Sequence, residues 1–204
     1  RSAREYLQEV MTPGLDSAAV LTTDDDTVLV SGPSSDPVAL DASVAGIPAG
    51  TGSALRDGLA TVLRQAAGDR HEHLVLYWTD GQDTESLTTD DELLTELGRA
   101  GNATVFPLVH LPSMEERLQG GRIGSFVFDV AELSGGEVFA YDDPRWLDRV
   151  RGWIARRFTV AYSPPAGAGH GKLKISVRGR RCAATILSDP FARPDVLAGE
   201  TSPA

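Results

Sequence analysis

The stretch LVLYWTDGQD, Leu74–Asp83, runs five apolar residues straight into an acidic turn broken by Gly81. Apolar residues at every position, rather than at alternate ones, mark a parallel strand covered on both faces. The run therefore predicts a buried parallel strand over 74–78, with Thr79, Asp80 and Gly81 at its carboxyl end. Upstream, Leu55, Leu59, Val62, Leu63 and Ala66 fall at i, i+4, i+7, i+8 and i+11, which paints one stripe of a helix that begins near Ser53 and ends at Gly68. Downstream, Thr89 and Glu92 form a capping box ahead of Leu93, Leu94 and Leu97, so another helix starts there.

The same alternation continues in both directions. Ala3, Leu7 and Val10 recur at helical spacing between Arg1 and Met11 until Thr12, Pro13 and Gly14 stop the pattern. Ser17–Thr23 and Thr27–Gly32 are β-prone runs around the acidic triplet Asp24–Asp26, which predicts an antiparallel hairpin. The triplet lacks the alternating ligands and glycine of a calcium loop and reads as a solvated turn.

Ala103–Val109 is the next strand, with Pro107 suggesting an irregular or edge position because it lacks a ladder donor. Ser125–Leu133 reads as a helix closed by Gly135 and Gly136. Glu137–Tyr141 reads as a strand, and Asp143 and Pro144 as the cap and first residue of a helix carrying Trp146, Val150, Trp153 and Ile154. Phe158–Pro165, Lys172–Val177 and Ala183–Leu187 are further β segments, and the tail after Pro190 has the composition of a flexible end. Strands alternating with amphipathic helices predict an α/β fold, a doubly wound and mostly parallel sheet with helices on both faces. In such sheets ligands bind beyond the carboxyl ends of the strands, where Asp80 lies.

Composition narrows the function classes. The chain has 204 residues, enough for one domain over 1–187 with a tail at 188–204. Its formal net charge of -10 argues against nucleic acid and anionic membrane surfaces, which need a basic footprint, and suits a cation or a cationic partner. Apolar runs are far shorter than the roughly 20 residues needed to span a bilayer. Cys182 is the single cysteine, so thiol usage says nothing about compartment. There is no Gly-x-Ser-x-Gly elbow, phosphate loop or Gly-x-Gly-x-x-Gly fingerprint, and the chain reads as a binding module rather than an enzyme.

Four segments together carry a family likeness. TGSALRDGLATVL (Thr51–Leu63), followed by LVLYWTDGQDTES (Leu74–Ser86), resembles the core of a von Willebrand factor type A domain, where Gly-Gly-Thr-Ala-Leu-x-Asp-Ala precedes a strand ending in Thr/Ser-Asp-Gly. AELSGGEVF (Ala131–Phe139) and FTVAYSPP (Phe158–Pro165) are similar to the Ala-x-x-Thr-Gly-Gly-x-x-Phe and Tyr-x-Leu-x-Tyr-x-Pro segments of the acidobacterial-type subgroup. The resemblance implies a divalent cation, usually Mg2+, at a metal-ion-dependent adhesion site, bridging to an acidic residue of a protein partner. It implies Asp80 as the carboxylate ligand and Ser53 as the hydroxyl ligand, with Thr51 as the alternative hydroxyl. It also implies a central first strand followed by an Asp-x-Ser-x-Ser loop, immediately before the helix containing Arg1. No such motif occurs in the chain. The expectation is either a piece of a longer polypeptide lacking that N-terminal central strand or a gap that another segment or molecule fills, with an incomplete metal site and poor cation affinity in the residues given.

Plainer readings stand beside these. Asp80 also fits an Asx turn with Gly81, and Ser53 also fits a helix N-cap. Asp57 reads as a structural carboxylate favoured by the helix dipole. Asp83 and Glu85 stand between rim charges and site carboxylates. His71 and His73 share one side of an extended segment, as a zinc pair would, but read as a polar lead-in to the strand. Arg178–Arg181 reads as a solvated basic turn. A metal-free assembly scaffold and, further off, a metal-assisted hydrolase are the competing functions.

Overall fold

A computed structural model describes residues 2–48, 50, 52–110 and 123–156. In chain order its elements are α1 (Ser2–Glu9), β1 (Ala18–Thr23), β2 (Thr27–Ser34), α2 (Pro37–Ala45), α3 (Leu55–Ala67), β3 (His73–Thr79), α4 (Asp90–Arg99), β4 (Ala103–Val109), α5 (Ser125–Leu133), β5 (Phe139–Ala140) and α6 (Trp146–Ile154). Phe158–Pro165, Lys172–Val177, Arg178–Arg181, Cys182, Ala183–Leu187 and the tail lie outside the described residues, as does Thr51.

β3, β4 and β5 form a parallel sheet in that order, and β1 and β2 form a separate antiparallel hairpin. Strand side chains alternate between faces, and two helical layers use the two sets. On one face Val75, Val105 and Val109 meet Leu59 and Leu63 of α3, Leu93 and Leu97 of α4, and Val127 and Val130 of α5. On the other, Leu74, Leu76, Phe106 and Leu108 meet Tyr6 and Val10 at α1 and Trp146, Val150 and Trp153 at α6. The α/β class with helices on both faces is therefore as the periodicity predicts. Among the described residues no helix is long and apolar enough to cross a membrane.

Pro107 overturns its edge expectation. All seven residues of β4 are buried, and β4 is the middle strand. The reason lies in which side each amide faces. His110 N–H donates to Thr79 O (2.8 Å), whereas Tyr141 N–H donates to Val109 O (3.0 Å), so odd-numbered residues of β4 turn their backbone groups toward β5. β5 spans only two residues, opposite Leu108 and Val109. Below it Val105 N–H is satisfied by the buried Ser134 hydroxyl at 2.9 Å, and Pro107 has no N–H to satisfy. Gly136 packs against Val105 O so tightly that a Cβ would overlap it, which accounts for the small residues at 134–136.

Other expectations shift in detail. The hairpin and the Thr89–Glu92 capping box form as predicted. α5 ends in a Schellman motif, with Gly135 at φ 75° and Gly136 N–H donating to Ala131 O at 2.8 Å. Glu137–Tyr141 shortens to the two residues of β5, since Tyr141 already turns away to bond Val109. α6 begins at Trp146, two residues beyond Pro144, and Asp143 caps the approach by accepting Arg145 N–H at 2.9 Å. α2 was not foreseen, although Asp36 followed by Pro37 is an N-cap and N1 signature, and Asp36 does accept Val38 N–H at 2.9 Å. β3 is less covered than its apolar run suggests. It is an edge strand of its sheet among the described residues, and Trp78 is 39% exposed.

Candidate functional site

The site begins with a helix that cannot cap itself. The first N–H groups of any helix lack internal partners, and the N-cap of α3 is Ala54, with no side-chain acceptor. Ser53 is therefore not the cap. The loop after β3 supplies the acceptors instead: Asp83 Oδ2 takes Arg56 N–H at 2.8 Å and Arg56 Nε at 3.1 Å, and Ser86 Oγ takes Asp57 N–H at 3.1 Å. The clasp is reciprocal, because Asp57 carboxylate oxygens accept Leu87 N–H (3.0 Å) and Thr88 N–H (2.8 Å). Asp83 is thus no rim charge. Its side chain is only 4% exposed, and it orders the loop on the head of α3.

Asp57 carries a pH consequence. Burial pushes its carboxyl upward, but hydrogen bonds from Thr88 and Leu87 and the nearby Arg56 charge outweigh this and hold it below the usual carboxylate range. A depressed folded value means stability that is complete above the unfolded value of about 4 and is lost as pH falls through the folded one. Asp57→Asn should therefore flatten the acid limb of stability below about pH 4. Urea unfolding at a series of pH values measures it; an unchanged acid limb refutes the assignment.

Above this clasp sits the turn of interest. Asp80 is exposed, and its Oδ1 accepts Gln82 N–H at 2.9 Å, the Asx turn expected of Asp before glycine. Gly81 has φ 80°, a conformation that favours glycine, and its Cα faces Ile123 so closely that a Cβ would stand 2.7 Å from it. The Ser53 hydroxyl donates to Gln82 O at 2.9 Å, and Ser53 O accepts Thr84 N–H (2.9 Å) and Glu85 N–H (3.1 Å). Asp80 and Ser53, chosen from sequence, are thus both bonded to the backbone of one residue, Gln82.

The hairpin tip also reaches this place, which the sequence reading missed. Asp24 Oδ1 accepts Gly52 N–H at 2.8 Å, Asp24 O accepts Ala54 N–H at 2.8 Å, and Asp25 and Glu85 flank Gly52. Asp24 is thus a support for Gly52 and Ala54, while Asp25 and Asp26 are exposed as a solvated turn would have them. Paired glycines at 50 and 52 were the available signal, since a side chain at either would overlap Asp24 or Asp25. His110 lies at the same strand ends, with its ring 5.1 Å from that of Tyr141, and makes no hydrogen bond to Asp80 or Ser53. His71 and His73 both approach Asp69, at 2.6 and 3.5 Å.

A hard cation takes six or more oxygen ligands. Asp80 and Ser53 are donors of the right kind: Asp80 keeps an oxygen not used by Gln82, and a hydroxyl that donates its proton retains lone pairs. They fall short in number. Among the described residues no cluster of three or more His, Cys, Asp or Glu side chains could hold a metal.

No known family model matches the chain, and no characterised protein matches it by comparison of sequences. Among solved structures it is similar to an uncharacterised membrane-spanning protein from Vibrio fischeri, at 13% identity over 76% of this chain and 80% of that one. The TM-score is 0.29, and a likeness at that level carries no argument.

Proposed function

We propose that the chain is a protein-binding module of the von Willebrand factor type A kind, whose partner presents an acidic side chain to a divalent cation such as Mg2+. Asp80 and the Ser53 hydroxyl would hold the cation, with Thr51 as the alternative hydroxyl. When bound, the cation supplies an electrophilic centre that an acidic residue of the partner can complete. One observation carries the reading: a carboxylate and a hydroxyl, 27 positions apart in sequence, both bond Gln82 at the carboxyl end of a parallel strand. The motif order quoted above supports it from the sequence side.

The small number of donors supports a second reading, a metal-free assembly scaffold with the same fold. Magnesium titration by calorimetry separates the two. Asp80→Ala is expected to weaken Mg2+ binding at least about tenfold, a loss of ~1.4 kcal/mol, while leaving thermal unfolding unchanged. Equal binding by Asp80→Ala overturns the ligand assignment.

A further inference from the structure

The carboxyl ends of β3, β4 and β5 enclose a cavity of about 220 Å3 beside the Asp80 turn, lined by Trp78, Thr79, Leu108, His110 and Tyr141. These residues converge because the sheet is parallel. Trp78 lies opposite Leu108 and Thr79 opposite Val109, and Tyr141 comes back from β5 to bond Val109 O. Open parallel sheets bind their ligands at such strand ends.

The chemistry of the cavity is narrow. Three of its five lining residues are aromatic, and no lysine or arginine is among them. The Trp78 indole meets the buried Trp146 edge to face, with centroids 6.3 Å apart, yet stays 39% exposed. The His110 and Tyr141 rings lie 5.1 Å apart, and both residues are exposed. The strand-end backbone here is already paired: His110 N–H donates to Thr79 O (2.8 Å), Tyr141 N–H to Val109 O (3.0 Å), and Gly81 N–H to Thr79 Oγ1 (2.9 Å). A ligand that must donate hydrogen bonds would find few acceptors in place of the water it gives up. Charge adds a second condition. Exposed Asp80 and Asp142 each directly follow a lining residue, in a chain of net charge -10, so the field at the rim favours a cation.

We infer that this cavity binds the trimethylammonium head of a small quaternary amine such as choline. Such a head donates no hydrogen bond, so the paired backbone costs it nothing. Its methyl groups suit Leu108 and the rings, and its diffuse positive charge is attracted by aromatic faces and by the rim carboxylates. A primary ammonium lacks the first property, and an uncharged apolar solute lacks the last. The inference goes beyond the metal reading and does not depend on it, since the head group needs neither a divalent cation nor the Ser53 hydroxyl.

The test is an NMR titration of the full chain with choline in EDTA, following the Trp78 indole N–H and the amides of His110 and Tyr141. Saturable shifts at all three are expected, with binding at least about fivefold tighter than that of 3,3-dimethylbutan-1-ol, the uncharged isostere. Tyr141→Leu keeps an apolar wall but removes one ring, so it should cut that preference to about twofold or less. Asp142→Asn should weaken choline and leave the alcohol unchanged. Both residues are exposed, so both variants should unfold at the parent temperature. Equal affinity for choline and the alcohol, an unchanged preference in Tyr141→Leu, or no saturable shift at these residues overturns the inference. So does tighter binding by ethylammonium than by choline, which would assign the attraction to hydrogen bonds with the rim carboxylates rather than to the rings.

Discussion

Asp83→Ala is expected to lower the unfolding free energy by about 3 kcal/mol, and the melting temperature by roughly 6–12 °C. Asp83 accepts the Arg56 amide, the Arg56 guanidinium and the Ser86 amide, so its loss strands three donors at once. Ala54 offers no substitute cap. Arg56 would retain Asp90, at 3.0 Å, but Asp90 is 47% exposed and so contributes little. Asp83→Asn keeps an acceptor for the amide and loses the charge, so it should fall between the parent and the alanine variant. Urea unfolding of the two variants measures the difference. A change within about 0.5 kcal/mol for Asp83→Ala, the scale of an ordinary surface substitution, would return Asp83 to the rim.

Phe106→Ala should cost more, about 4 kcal/mol, because it combines lost burial with a cavity. Phe106 is 1% exposed on the middle strand. It stacks on Phe139 with ring centroids 5.9 Å apart and meets the edge of Trp153 at 5.2 Å. These contacts fasten β5 and α6 to β4, so hydrogen exchange should accelerate first in those two elements. A uniform acceleration across α3 and α4 as well would mean that the two helical layers do not open separately.

Much of the candidate site was legible before any coordinates. Asp80 is recognisable because an acidic turn follows an unbroken apolar run. Ser53 is recognisable because Leu55 and Asp57 follow it at the offsets of a known motif. The roles of their neighbours were not legible. Asp83, Asp57 and Ser86 look like ordinary polar loop and helix-head residues until the chain returns and closes them on one another. Asp24 looks solvated until Gly52 arrives at its carboxylate. Pro107 looks like an edge residue until the shortness of β5 and the reach of Ser134 are known.

The sequence by itself determined the α/β layering, the order of most elements, the capping box that opens α4 and the Schellman motif that closes α5. Those features rest on periodic burial and on contacts a few residues apart, which a one-dimensional pattern records. Only the tertiary structure decided who caps α3 and why β4 tolerates a central proline. Each of these depends on whether a backbone donor or acceptor meets a partner tens of residues away, and hydrogen-bond satisfaction is a property of pairs brought together by the fold.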